Sequence, residues 1–345
     1  MVIICAEIMN NLVRSKILIT MQSVAKAAGV SPMTVSNSFR YPERVLEETR
    51  LRVFQVAAEL GYVPNHSAGI LSSGQSRVIG AVIPSMKNSS FYKYVRGMQD
   101  RATESGYELI LKLAETKEDE TAAIQTFIGL RVAGIVLVGN QHSQEAIDLI
   151  NKTQTPVVES WVTENSLDMA VGYSMTDATR SMTRLLIERG CQRIGFVGYG
   201  STSARRYSDR LPAFTETVVV AGLESHRVCA VDEADGFGAG PKALEALRLI
   251  DPDIDGVICP TDIVAAGVIF ECTRLGWKVP DRLAVTGWGD YEIASEITPG
   301  LSTIQPNAYE MGMQCMTMII ARASAGNIVK SVHDIGFDVI IREST

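Results

Sequence analysis

From Val78 onward the apolar residues follow two alternating rhythms. Short continuous runs (VIGAVIP, YELILKL, GIVLVG, PVVES, MAVGY, RIGFVG, RVCAV, GVIC and LAVTGW) predict buried strands. Between them, stretches at about 90–105, 117–130, 143–152, 176–189, 205–221, 241–250 and 262–275 carry their apolar residues on one helical face. Gly106, Gly190, Gly222 and Gly276 each stand where a helix must end before the next strand. Strands separated by helices predict parallel sheets covered on both faces. Two such runs in succession predict two α/β lobes, with a ligand cleft at the carboxyl ends of the strands.

The residues before Val78 have a different organisation. In QSVAKAAGVSPMTVSNS, residues 22–38, Ala25 is small where two helices cross, and Gly29 can take the positive φ of a tight turn. Ser31 can cap a second helix with Pro32 at its first position. Val35 then faces inward, while Met33, Thr34 and Asn37 face outward. This is a helix-turn-helix pattern, a device for setting one helix into the major groove of DNA. A third helix is predicted over roughly 47–60, with Val53, Val56, Ala57 and Leu60 on its packing face and Gly61 as its cap. Leu46 stands where a capping hydroxyl is expected, at a cost of about 1 kcal/mol by typical cap values.

Residues 62–76, YVPNHSAGILSSGQS, read as a linker with a short helix over Asn65–Leu71. Leu71, a large apolar residue in a polar connector, either rests on the body or acts as a minor-groove wedge. Residues 1–19 fit neither part and lack a basic leader and a small-residue cleavage site, so they are expected to be an unstructured extension rather than a secretory signal.

Composition adjusts this picture in a few places. Length, 345 residues, exceeds one ordinary core, and no apolar run approaches the ~20 residues of a membrane span. The net charge of −7 is unpromising for a nucleic-acid binder until it is divided. Residues 1–19 and 20–74 each sum to +1, leaving −9 on the remainder, so the head is mildly basic and the body acidic. Cys5, Cys191, Cys229, Cys259, Cys272 and Cys315 form no C-x-x-C pair and are expected to be reduced core thiols of a cytoplasmic protein.

Two chemistries can be set aside on the sequence. Asp251, Asp253, Asp255, Gly256 and Asp262 approach the spacing of a calcium loop, but position twelve is Asp rather than Glu and position two is Pro252. GYGSTS after RIGFVG resembles a dinucleotide turn without its third glycine. His66, His142, His226 and His333 are far apart in sequence and are expected at the surface, so no enzyme is indicated and no cofactor or metal is implied.

The head, the YVPN boundary and the two-lobed body together resemble the LacI/GalR family of bacterial transcriptional regulators. AKAAGVSPMTVS, RVLEETRLRVFQVAAELGYVPN, VIGAVIP, VRGMQ, LIERGCQRIGFVG, GWKVPDRLAVTGWGD and IREST carry the resemblance, over essentially residues 20–345. RYPERV, IPSMKNSSF, PVVES and FECTRLGWKVPD resemble the gluconate-repressor branch in particular. The resemblance implies a helical headpiece over 20–64, a hinge over 65–76 and a body of two doubly wound, periplasmic-binding-protein-like lobes over 77–345. The first lobe would take about 77–178 and 307–332, the second about 179–306 and 333–345. It implies a homodimeric repressor that binds a pseudo-palindromic operator and is released by a small effector, with no membrane partner.

Matched residue by residue, the resemblance places Met33 and Asn37 against bases, preceded by Pro32. It places Ser31, Thr34, Ser36 and Arg40 against phosphate, and Tyr62 and Asn65 at the hinge boundary. The family often carries Arg at the Asn37 position, and Asn prefers adenine to guanine, so an unusual half-site is expected. For the effector the resemblance brings forward Arg205, with Arg206 and Arg210 close behind, as partners for a carboxylate. Ser85, Asn88, Phe91, Glu159, Thr261, Asp262 and Asp290 complete the candidate pocket. Gly289 stands where the family often has an acid, which favours a sugar acid such as gluconate. A neutral-sugar or purine regulator of the same family is the alternative, and a sugar-binding protein without a DNA role is a more distant one.

Overall fold

The computed structural model of the chain describes residues 19–63, 76–84, 89–200, 209–325 and 331–345. Most of the expected extension, the hinge with Asn65 and Leu71, and Ser85, Asn88, Arg205 and Arg206 lie outside them. The chain divides into two compact units, Met1–Gln75 and Ser76–Thr345. Among the described residues no helix is long and apolar enough to cross a membrane.

The first unit contains α1 (Met21–Ala28), α2 (Pro32–Arg40) and α3 (Glu47–Leu60), with a 3-10 turn at Pro42–Arg44. Thr20 caps α1 in a reciprocal pair with Ser23, and Gly29 ends it at φ 65°. Val24, Ala25, Ala28, Val35, Val53 and Ala57 form the core, Ala25, Val35, Val53 and Ala57 as expected, while the expected Val30 and Val56 are only partly buried against it. Leu60, placed on the packing face by its period, is instead 37% exposed, because Gly61 turns the chain away at φ 67°. The uncapped Leu46 is exposed. Glu47 and Glu48 stand in the first turn of α3 instead, where their charge favours the unpaired amides.

The second unit is two six-stranded sheets. The first has β1 (Val78–Ile83), β2 (Glu108–Leu113), β3 (Gly134–Val138), β4 (Val157–Ser160), β5 (Met169–Gly172) and β11 (Val332–Asp334), in the order β11-β5-β4-β3-β1-β2 and wholly parallel. Packed on it are α4 (Ser89–Glu104), α5 (Lys117–Gly129), α6 (Gln144–Thr153) and α12 (Ala308–Ala325).

The second sheet has β6 (Ile194–Tyr199), β7 (Val228–Val231), β8 (Gly256–Ile258), β9 (Ala284–Trp288), β10 (Ser302–Gln305) and β12 (Asp338–Ile340), in the order β12-β10-β9-β8-β6-β7. Only β12 is antiparallel to its neighbour. Its helices are α7 (Met175–Glu188), α8 (Arg210–Val220), α9 (Ala239–Ile250), α10 (Asp262–Arg274) and the short α11 (Glu292–Glu296). The chain therefore changes lobes after β5, after β10 and after β11. The last crossing falls after Asp334, slightly beyond the expected Val332, because Val332–Asp334 pair with β5.

Two close contacts set the first lobe. Helices α4 and α12 meet through facing glycines: a Cβ on Gly97 would lie 2.1 Å from the Tyr309 carbonyl oxygen, and one on Gly312 would lie 2.1 Å from that of Tyr94. No side chain fits at either place.

The second contact is a buried charge cluster. His142 was expected at the surface but is 7% exposed, with Nδ1 2.7 Å from Glu120 Oε1 and Nε2 2.9 Å from Glu159 Oε1. The other Glu159 oxygen accepts the Leu167 amide at 2.6 Å, and the His142 carbonyl accepts from Lys117. The cluster thus ties α5, the loop after β3, β4 and the loop after β4 together. Burial alone would lower the imidazole pKa, but hydrogen bonds to the two carboxylates outweigh it and raise it to about 9.

Two outcomes follow for stability. Gly97→Ala should lower stability by about 3 kcal/mol, the upper range for overpacking against backbone. Gly129→Ala, where nothing lies within 4 Å of the added Cβ, should leave the thermal midpoint nearly unchanged. His142 is charged in the folded state up to a pKa of about 9, against 6.5 when unfolded. Its contribution is therefore complete below pH 6.5 and lost as pH rises through 9. The melting temperature should decline across that window, and His142→Gln should lower it most at pH 6 and flatten the decline.

Candidate functional site

The head presents an outward helix face whose position is fixed by its caps. Ser31 Oγ accepts the Thr34 amide at 3.0 Å and lies 2.9 Å from the Thr34 hydroxyl, which starts α2 at Pro32. Val35 is fully buried, so Met33 and Asn37 fall on the opposite side, with Met33 68% exposed. Arg40 ends the same helix. Tyr62 is held in the head rather than free beyond it: its amide bonds to the Ala57 carbonyl and its ring lies 6.0 Å from Phe39.

In the body, a cleft of about 860 Å³ lies at the carboxyl ends of the first sheet's strands and is closed on its other side by α7 and α8. Pro84, Ala114, Val138, Gly139, Asn140 and Trp161 come from the strand ends, and Arg180, Asp209, Pro212 and Glu216 from the helices. This is where an open α/β sheet is expected to take a ligand. The described lining carries six carboxylates (Glu115, Glu118, Glu120, Glu164, Asp209 and Glu216) against Lys117 and Arg180. Arg180 is itself paired with Asp177 and Glu216.

The lobes meet through a stacked layer. The Arg210 guanidinium lies 3.4 Å from the Trp288 ring centroid, donates to the Pro260 carbonyl at 3.0 Å and approaches Met175 Sδ at 3.7 Å. Trp288 Nε1 donates to Tyr173 Oη at 3.0 Å, and Lys93 Nζ donates to the Asp290 carbonyl at 3.2 Å.

Several candidate pocket residues turn out to have internal partners. Glu159 is fully buried, with both oxygens engaged by His142 and Leu167. Asp262 is fully buried at the start of α10. It accepts the Tyr291 amide at 2.7 Å and the Thr303 hydroxyl at 2.6 Å, and burial pushes its carboxyl up to about 6. Asp290 binds Arg342 at 2.8 Å and Gln305 at 2.6 Å. Thr261 caps α10 and lies 3.1 Å from the Tyr199 hydroxyl.

Phe91 is 4% exposed and packs 5.0 Å from Trp161, a core position. Gly289 has φ 127°, and a Cβ there would lie 2.0 Å from the Tyr291 ring, so the backbone itself demands glycine. Its missing carboxylate is therefore no signal for an acid ligand. The acids of the apparent calcium loop are likewise engaged. Asp251 binds Arg227 at 2.6 Å, which holds its carboxyl below the usual range, and Asp253 pairs with Arg193 at 3.1 Å. Asp255 accepts the Gln192 and Arg193 amides.

Trp161 and Tyr173 are cleft residues outside the expected set. Both line the cleft, and both stand at the end of a strand-like run, Trp161 directly after PVVES and Tyr173 as the last residue of MAVGY. That position, at the carboxyl end of a parallel strand, was the available signal.

Comparison with known proteins agrees with this arrangement. Residues 20–65 match the family described as bacterial regulatory proteins, lacI family, and residues 183–345 match the periplasmic binding protein-like domain. The chain is 31% identical over 319 residues to the HTH-type transcriptional regulator GntR of Escherichia coli K12, covering 92% of this chain and 96% of that one. It is 28% identical to the catabolite control protein A of Staphylococcus aureus, over 87% of this chain and 91% of that one. Among solved structures, a LacI family regulator from Silicibacter pomeroyi aligns with TM-score 0.85 at 26% identity, over 94% of this chain and 98% of that one. The lac repressor dimer bound to operator and an anti-inducer shares the fold, with TM-score 0.82 at 24% identity over 94% and 98% of the two chains. The chain belongs to the LacI family of DNA-binding transcriptional regulators.

Proposed function

We propose that the protein is a repressor of carbohydrate catabolism genes that binds a pseudo-palindromic operator as a homodimer and is released when a small sugar acid such as gluconate fills the cleft. The capped α2, with Met33 and Asn37 on its outward face, is the observation that carries the DNA-reading part. Ser31, Thr34, Ser36 and Arg40 would contact phosphate and position that helix, and Leu71 would open the central minor-groove step.

Exposed apolar side chains support a second copy as partner. The edge strand β2 leaves Ile110, Leu111 and Leu113 open, and Phe237 and Phe270 stack 5.9 Å apart at the surface of the second lobe. The sugar-acid reading rests on the gluconate-branch resemblance and on Arg205 and Arg206, with Ser85 and Asn88 as hydroxyl partners. The acidic lining of the described cleft favours the second reading, a neutral sugar, because its carboxylates, even with Glu216 set against Arg180 and Glu120 against His142, outnumber its cations and repel an anion unless those arginines offset them. In both readings the effector acts by binding one arrangement of the lobes more tightly than the other.

Selection of duplexes by the purified full-length protein tests the whole reading. An inverted repeat should be enriched, and gluconate, 6-phosphogluconate or 2-ketogluconate should release it while glucose does not. Release by glucose alone would replace the acid ligand with a neutral sugar, and an effect of none of them would remove the switch. Asn37→Arg should move half-site preference from adenine toward guanine at one position, with discrimination of about 1–3 kcal/mol per bidentate contact. An unchanged half-site would take Asn37 out of base readout.

A further inference from the structure

Trp161 combines three features that a residue filling the core would not need. It lines the cleft at the carboxyl end of β4. Its backbone has φ 60°, a left-handed conformation that is an outlier for a bulky side chain and that persists only where surrounding structure enforces it. Its indole is packed against two aromatic rings, Phe91 at 5.0 Å and Tyr94, edge-on, at 4.5 Å.

The surroundings enforce the conformation from both sides in sequence. Before Trp161, Ser160 is fully buried, its hydroxyl donating to the Leu137 carbonyl and its own carbonyl accepting the Gly139 amide. After it, the chain runs over Gly172 so closely that a Cβ there would lie 2.4 Å from the Val162 amide nitrogen. Farther on, Glu159 holds the Leu167 amide and Asn140 donates to the Glu164 carbonyl, so the loop carrying the indole is tied down along its length. The cleft that Trp161 lines also carries acceptors, Glu164 and Glu115 among them. A rigid apolar face next to hydrogen-bond acceptors fits a molecule with an apolar carbon–hydrogen face and a rim of hydroxyl donors.

We propose that Trp161 is a specificity-determining residue of the cleft, a stacking surface for the carbon–hydrogen face of a carbohydrate effector. The inference rests on the reading of the cleft as an effector site, but not on whether the effector is an acid or a neutral sugar. Phe91, brought forward by the sequence, supports this surface from beneath.

The test uses the full-length chain as wild type, Trp161→Phe and Trp161→Leu. Each is titrated with gluconate, 2-ketogluconate, glucose and the organic cation choline, by calorimetry and by tryptophan emission. For whichever sugar the wild type binds, Trp161→Leu should weaken affinity by about 30-fold and Trp161→Phe, which keeps an apolar ring, by no more than about 5-fold. The emission change on binding should be smaller in Trp161→Phe than in the wild type, the remainder coming from Trp277 and from Trp288 at the lobe contact. That readout remains decisive if Trp161→Leu does not fold.

Sugar affinity of Trp161→Leu within about 3-fold of wild type, or an emission change in Trp161→Phe as large as that of the wild type, overturns the inference. So does binding of choline in place of every sugar, because an acid-rimmed indole would then be a cation site. Wild-type binding of glucose alone defeats the acid-ligand reading while leaving Trp161 to be judged on glucose. Wild-type binding of no probe defeats the effector reading and the inference together.

Discussion

The layer of Arg210, Trp288 and Tyr173 is the constraint on which the body depends. Burying a guanidinium is costly unless its charge and donors are met. Here the Trp288 face takes the charge and the Pro260 carbonyl accepts a hydrogen bond. Trp288, fixed from one side by the arginine, reaches the other lobe through its indole N–H on Tyr173. One buried cation thus sets the orientation of the residue that joins two sheets. Because the chain changes lobes three times, any relative movement of the lobes must pass through those crossings and this layer.

Carboxylates that look like ligand-binding groups mostly serve this framework. Glu159 secures the loop carrying Trp161, Asp262 ties the start of α10 to β10 and to the turn at Tyr291, and Asp290 anchors Arg342 near the chain terminus. Each is buried or partly buried with its oxygens satisfied, and removing a partner would leave an uncompensated charge. The framework behind the cleft is consequently held by residues whose polar groups are already committed.

The head and the body solve opposite electrostatic problems. A mildly basic head approaches phosphate, while the acidic body adds nothing to nonspecific attraction to DNA. The charge that favours phosphate is then concentrated in the unit that carries the helix-turn-helix.

The sequence alone determined the two classes of unit, the capped turn at Gly29 and Ser31, and most of the strand and helix alternation, because these follow from local periodicity and from what individual backbones can adopt. The strands β10, β11 and β12 escaped it, since STIQ, VHD and DVI interleave polar residues and contain no continuous apolar run. The periodicity of α3 put Leu60 inward, but the left-handed turn at Gly61 takes it out. Only the tertiary structure decided what the acids do. Glu120, His142 and Glu159 are spread over forty residues, and their meeting depends on how α5, β3 and β4 stack. The same is true of Gly289, whose meaning is the Tyr291 ring above it, and of Trp161, which becomes a cleft surface only because Phe91 and Tyr94 arrive from α4 to brace it. Chemistry made from residues distant in sequence is set by packing, and packing leaves no period to read.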